Sequence, residues 1–332
     1  LGEHGEQGHG LFLYEQAVRT PLIIKLPRRD GGGRHSNALV QHIDIAPTIL
    51  DLLGAPRPSE LRGRSLRNVL DSPTATIPDR QLYAETYAGR CRFGWGEVSS
   101  LTDGQYRYIA SGRPELYDLH QDQKEQVNLV ESDATIAQKM RAALEELTGH
   151  SPAPVPAPVP EPERRRLAAI GYVTGLPAIA AEVPGDQLPD VKDRVAIANK
   201  YWEASGLSAR GRTAEAIAAY RDVISDDPSL AAGWDRMAGL LAESGRFREA
   251  GEALSSLLGL YPEATRSAEA DQRLQQMLGT APTADGYLLA ASVWSSLGEK
   301  TRAIDMRAAA RKAAADAALR KAGSSLRKPP SP

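Results

Sequence analysis

The sequence predicts two domains of unlike class: a mixed α/β domain over residues 1–150 that ends in a small antiparallel sheet, and an all-α helical-repeat domain over 192–322. Three observations predict this. Proline stands at every second position from Pro152 to Pro162 and divides the chain. Before that run, short apolar segments of period two alternate with helical patterns. After it, the chain is rich in alanine, leucine and charge, and residues recur every 34 positions. A length of 332 residues also suits about two domains.

Composition narrows the classes. Forty basic and 42 acidic side chains give a net charge of -2, which excludes a broad electrostatic attraction to nucleic acid. The one cysteine, Cys91, excludes an internal disulfide and a cysteine-rich metal site. No apolar run approaches the roughly 18–20 residues of a membrane span. No signal peptide is visible, and the chain opens at Leu1 inside a dense loop, LGEHGEQGHG. A preceding N-terminal part is expected.

In chain order, PLIIKL (Pro21–Leu26) is a continuous apolar run that fits a buried strand of an α/β sheet. RRDGGGR follows as a loop, because three glycines hold no regular element cheaply. IDIAPTILDLLGAP (Ile43–Pro56) reads as a helix, with Ile45, Ile49, Leu52 and Leu53 at helical spacing and Gly54 and Pro56 as stop signals. From Leu82 the period becomes two: LYAETY, VSSLTDG, QYRYIA and ELYDL read as an antiparallel meander, with Asp103-Gly104 as a tight hairpin. Tyr106, Tyr108 and Tyr117 are then core or cross-strand residues. Arg92, Phe93, Trp95 and Glu97 read as a loop between strands, either rimming a cleft or packing the meander. Ser132–Gly149 reads as an amphipathic helix, capped by Ser132 or Asp133, with Ile136, Met140, Leu144 and Leu147 as its stripe.

Residues 151–191 form the proline-rich linker. Alternating proline favours polyproline II, about 3.1 Å per residue, so the stretch reads as a semi-rigid spacer, with a proline-rich ligand as the alternative. Beyond it, Gly211 and Gly245 lie 34 residues apart, as do Ala216 and Ala250, and Pro228 and Pro262. That is the tetratricopeptide (TPR) period: small residues where two helices approach, glycine at the turn, proline ending the second helix. A third copy starts near Ala284, with Gly298 and Ala303, after an irregular insertion at 266–285. Thr301–Pro332 holds eight Lys/Arg against two Asp and reads as a solvated helix with a disordered tail at 323–332.

Chemistry concentrates in the first loop, where His4, His9, Glu3, Glu6 and Glu15 fall within fifteen residues among four glycines. Histidine with carboxylate suits a metal or anionic reaction centre, and a polar surface loop would look similar. The order of segments adds more. LGEHGEQGHGLFLYEQAVRTPLIIKLP, VQHIDIAPTILDLLG, the GRSL of Gly63–Leu66, YAETY, LTDGQYRYI and ELYDLHQDQKEQVNL together resemble the sulfatases of the alkaline phosphatase superfamily. The pairing with TPR repeats resembles a bacterial subgroup.

The resemblance implies an alkaline-phosphatase-like α/β fold and hydrolysis of sulfate esters. It implies a calcium ion, and a formylglycine nucleophile made from Cys or Ser in Cys/Ser-x-Pro-x-Arg. Cys91 stands in GRCRFGW and not in such a motif, and the early Asp-Asp pair is absent, so nucleophile and metal ligands are expected upstream of Leu1. No metal ligand is assigned to this chain. In LGEHGxxGK loops a lysine donates to the sulfate oxygens where this chain has His9. His9 is therefore the candidate sulfate binder and catalytic acid. His4 is the second candidate substrate-site residue. Glu15 and Arg19 are read as holding the loop, and His42 and Asp44 as starting a helix.

The expected partners are a sulfate-ester substrate and a protein on the TPR surface, with no nucleic acid and no membrane span. The expected compartment is periplasmic or extracellular. Two alternatives stand: a phosphodiesterase or phosphonate monoester hydrolase of the same superfamily, or a non-catalytic TPR adaptor.

Overall fold

The computed structural model describes residues 2–72, 74, 75, 77, 80–149, 166, 183–280 and 282–325. The spacer expected at 151–163 and the tail beyond 325 lie outside the described residues. The chain divides into an N-terminal unit (Leu1–Arg90, Trp95–Val155 and Glu182–Asp193) and a helical unit (Cys91–Gly94, Pro156–Ala181 and Arg194–Pro332).

The N-terminal unit is built on four strands, β1 (Leu82–Thr86), β2 (Val98–Thr102), β3 (Tyr106–Ala110) and β4 (Glu115–Asp118), paired antiparallel in the order β1-β2-β3-β4. This is the expected meander. Asp103 makes the β2–β3 turn: its Oδ1 accepts from the Gln105 and Tyr106 amides, and Gly104 supplies φ +102°. Alternation then sorts the faces. Leu101, Tyr108 and Leu116 point to one side, where Ala137, Met140 and Leu144 of helix α5 (Ala134–Thr148) complete the core. The expected stripe is shifted: Leu147 is exposed and Ala137 takes its place. Nor does Ser132 cap α5; its hydroxyl donates to the Leu129 carbonyl, and Asp133 sits at the N-cap without a side-chain bond.

Before the sheet lie α1 (Glu15–Val18), α2 (Ile45–Leu52) and α3 (Arg67–Asp71). Residues 63–66 pack against the start of α2 so closely that a Cβ on Gly63 would meet the Ile43 carbonyl oxygen at 1.8 Å. Only glycine fits there. The Arg64 amide donates to Asp44 and the Leu66 amide to Thr48 Oγ1, which explains why GRSL and HIDIAPT occur in one chain.

Three further expectations change. PLIIKL is not a buried strand: it carries no regular element, pairs with no strand among the described residues, and leaves Ile23 89% exposed. A strand needs a neighbour for its N–H and C=O groups, and the four described strands pair only with one another. Helix α2 forms as expected, yet Ile45, Ile49 and Leu53 face solvent while Pro47 and Thr48 are buried. The region expected as a loop at Arg92 and Phe93 is part of a short helix, α4 (Ala88–Phe93), and Phe93 and Trp95 are buried. Their role is packing.

The helical unit runs from Arg194, within α6 (Val191–Ala209), along α7 (Thr213–Asp226), α8 (Ala231–Glu243), α9 (Phe247–Gly259), α10 (Glu263–Thr280), α11 (Ala284–Ser296) and α12 (Lys300–Ser325). The insertion expected to be irregular is the helix α10, held by buried Arg273, which bonds Asp235, Glu269 and the Tyr261 hydroxyl. None of the described helices is long and apolar enough to cross a membrane.

Candidate functional site

The first loop is shaped by its backbone. Gly2, Gly5 and Gly10 take φ of +97°, +84° and +116°, and His4 lies in the left-handed region at +55°. A non-glycine residue there is strained unless its surroundings hold it. His4 is held twice: its ring stacks on Tyr14 at 3.5 Å and 11°, and its Nε2 lies 3.1 Å from the Lys124 carbonyl oxygen. Glu6 is buried and closes the loop, accepting from the Leu11 amide at 2.9 Å and the Phe12 amide at 3.2 Å. Thr86 of β1 donates to the Gly10 carbonyl. His9, between these anchors, is exposed.

Two shallow recesses border the loop. His9 lines one, with Glu3, Glu6 and Phe12. His4 lines the other, with Glu115, Tyr117, Lys124 and Glu125. Glu3, Tyr14 and Gln16 line both. The two candidate histidines are thus on one loop but face separate hollows.

Beneath the loop lies a charge network that sequence reasoning did not assemble. Arg107 of β3, buried on the sheet face opposite the core, donates to Glu125 Oε1 at 2.8 Å, to Glu15 Oε2 at 2.5 Å and to Thr102 Oγ1 at 3.0 Å. The Glu15 amide donates to Glu125 Oε2 at 2.6 Å. Burial raises the Glu125 carboxyl, against the opposing pull of Arg107. Of this centre the sequence pointed to Glu15 as a loop-holding residue, while Arg107 stands between the tyrosines of QYRYIA with nothing to mark it. Glu15 holds the loop as expected, with Arg19 3.5 Å away on the surface.

The ELYDLHQDQKEQVNL segment is similarly explained residue by residue. Asp118 accepts from the His120 and Gln121 amides, Asp122 from those of Gln126 and Val127, and Asn128 from those of Leu116 and Val130. Glu115 accepts from the hydroxyls of Tyr14 and Tyr117, each at 3.1 Å. Burial, then the Glu115 charge, push both phenols above their ordinary range, so they remain protonated donors. Asp44 is fully buried, accepts from the Gln41 and Arg64 amides and pairs with Arg80. His42 is exposed, its Nε2 3.4 Å from Thr20 Oγ1.

Among the described residues, no group of three or more His, Cys, Asp or Glu is placed to hold a metal ion. The calcium that the sulfatase resemblance implies therefore does not fit a described donor set.

Comparison with known proteins completes the description. Residues 2–150 match the family model "N-sulphoglucosamine sulphohydrolase, C-terminal". An N-acetylglucosamine-6-O-sulfatase of Bacteroides thetaiotaomicron is 30% identical over 153 residues, covering 44% of this chain and 27% of that protein. Arylsulfatase K of Mus musculus is 29% identical over 162 residues, covering 42% and 28%. A solved structure described as "in complex with its substrate D-Glucosamine-2-N, 6-O-disulfate" is 28% identical, with a TM-score of 0.40 and coverage of 45% of this chain and 31% of that one. The chain spans less than a third of the length of the two curated relatives. Over residues 2–150, then, this chain is similar to the C-terminal region of sulfatases.

Proposed function

We propose that residues 2–150 serve an enzyme that hydrolyses sulfate esters on an amino sugar, and that the first loop contributes His9 to the pocket for the sulfate. The observation that carries this reading is the similarity of residues 2–150 to sulfatase C-terminal regions, with a relative named for N-acetylglucosamine 6-sulfate esters at 30% identity. The loop geometry supports it. Glu6 and Thr86 fix both flanks of an exposed imidazole, so His9 is presented to solvent from a held backbone.

The chemistry asked of His9 is modest. A sulfate ester presents anionic oxygens to a donor, and cleavage of its S–O bond leaves an alkoxide that needs a proton. An imidazole donates to such an oxygen when neutral or charged, and supplies the proton when charged. His4 is assigned the adjoining hollow, where its ring and the carboxylates of Glu115 and Glu125 border a substrate's remainder. Formylglycine and calcium are assigned to no residue of this chain.

For the helical unit we propose TPR-type binding of a protein partner. Gly211, Gly245 and Gly298 turn the chain between helices at φ of +72°, +74° and +79°. Ala216 and Ala250, 34 residues apart, are both fully buried.

Isothermal titration tests the enzyme reading. The chain is expected to bind glucosamine 6-sulfate and not glucosamine, and His9→Ala to lose the difference. Equal affinity for the two sugars, or an unaffected variant, contradicts it.

A further inference from the structure

Residues 183–193 form a strap fixed at three stations on α4, the connection before β2 and the β3–β4 turn. At the first, Arg90 Nη2 donates to the Val183 carbonyl at 2.6 Å while its Nη1 pairs with Glu97 at 2.7 Å. At the second, the Gly96 amide donates to the Pro189 carbonyl at 2.9 Å. At the third, Asp190 is buried and accepts from the Arg113 amide at 2.8 Å, the Ser111 hydroxyl at 3.2 Å and the Lys192 amide at 2.8 Å. All of these residues belong to the N-terminal unit.

The third station does not end at the strap. Lys192 Nζ donates to the Arg113 carbonyl and stands 3.5 Å from Glu115 Oε2. Its side chain and that of Glu115 are both largely shielded, 15% and 13% exposed, so their attraction is weakly screened. Glu115 is the acceptor for the Tyr14 and Tyr117 hydroxyls. Tyr14 is the surface on which His4 stacks. An unbroken line of contacts therefore runs from the strap, through one carboxylate and one phenol, to the loop that bears His4 and His9.

We propose that the strap is a conformational device: Lys192, docked on Glu115, fixes the acceptor that Tyr14 needs, and so holds the first loop in shape from a segment almost 180 residues later in the chain. Lys192 is a positioning residue in this arrangement. It touches neither histidine and acts through Glu115 and Tyr14. The Tyr14 hydroxyl, kept protonated by burial, suits the relay, because its bond to the Glu115 carboxylate lasts only while that carboxylate stays in place.

Hydrogen exchange of the full chain, read by mass spectrometry, tests this without reference to sulfate, so it can fail while the sulfatase reading stands. Lys192→Ala is expected to raise exchange severalfold in 183–193 and also in 2–14, with α7–α9 at wild-type rates as the folding control. Lys192→Arg should restore both segments. Tyr14→Phe keeps the ring stack but cuts the link; it should loosen 2–14 alone, and adding Lys192→Ala should loosen 2–14 no further. Loosening of the strap with 2–14 unchanged, or additive effects of the two substitutions on 2–14, overturns the proposal.

Discussion

Asp44 shows how single side chains hold this fold. Its carboxylate is fully buried and is satisfied by two backbone amides and the Arg80 guanidinium. Burial raises its pKa, but Arg80 and the two amides outweigh that and hold it below the usual carboxylate range. A folded-state pKa below the unfolded value gives stability that is present above the unfolded value, about 3.9, and is lost as pH falls through the folded one. Asp44→Asn keeps the shape and leaves Arg80 buried without its charge, so it should cost about 3 kcal/mol at pH 7. The deficit relative to wild type should shrink as pH falls below about 4, where Asp44 of the unfolded wild-type chain begins to take up protons while the folded carboxylate still resists them. Urea denaturation at several pH values measures this; a loss that stays constant with pH would contradict it. Asp44 was read from the sequence as a helix-start residue, and its placement supports that. Its bond to the Arg64 amide was invisible, because residues twenty apart in sequence meet only once the chain has folded.

Elements were legible where their signals are local. Period two and the Asp103-Gly104 turn located the four strands found among the described residues, and the apolar spacing of 134–148 located α5. Burial was less legible, because it depends on neighbours. The run at 21–26 has the composition of an interior strand and lies exposed, and the stripe of α2 faces solvent. The two situations separate cleanly on mutation. Leu144→Ala removes a side chain packed between α5 and the sheet and should cost about 2–5 kcal/mol. Ile23→Ala removes one that is 89% exposed and should change stability by less than about 0.5 kcal/mol. Thermal unfolding of the two variants measures the contrast; an Ile23→Ala loss as large as that of Leu144→Ala would mean that this segment is covered in solution.

At the scale of the molecule, the ordered segments from LGEHG to EQVNL were legible as a sulfatase resemblance, and the match over 2–150 agrees. The 34-residue spacing was read as a helical repeat; the described residues beyond Asp190 are largely helical, which supports the helices. The centre on Arg107 and the strap at 183–193 were not, since each joins residues remote in sequence that carry no common motif. The one cysteine, Cys91, sits outside any Cys-x-Pro-x-Arg. This chain by itself is therefore expected to show no turnover of a chromogenic aryl sulfate with calcium supplied. Turnover that His9→Ala abolishes would place the nucleophile within these 332 residues and refute that expectation.

The central claim is that His9, on its anchored loop, meets the anionic oxygens of a sulfate ester. The most direct measurement is the imidazole NMR signal of His9, assigned by comparison with His9→Ala, during titration with glucosamine 6-sulfate. A saturable shift of that signal, with His35 and His120 unmoved, is the predicted result. A His9 signal that stays fixed while the sugar binds elsewhere, or does not bind, would contradict the account.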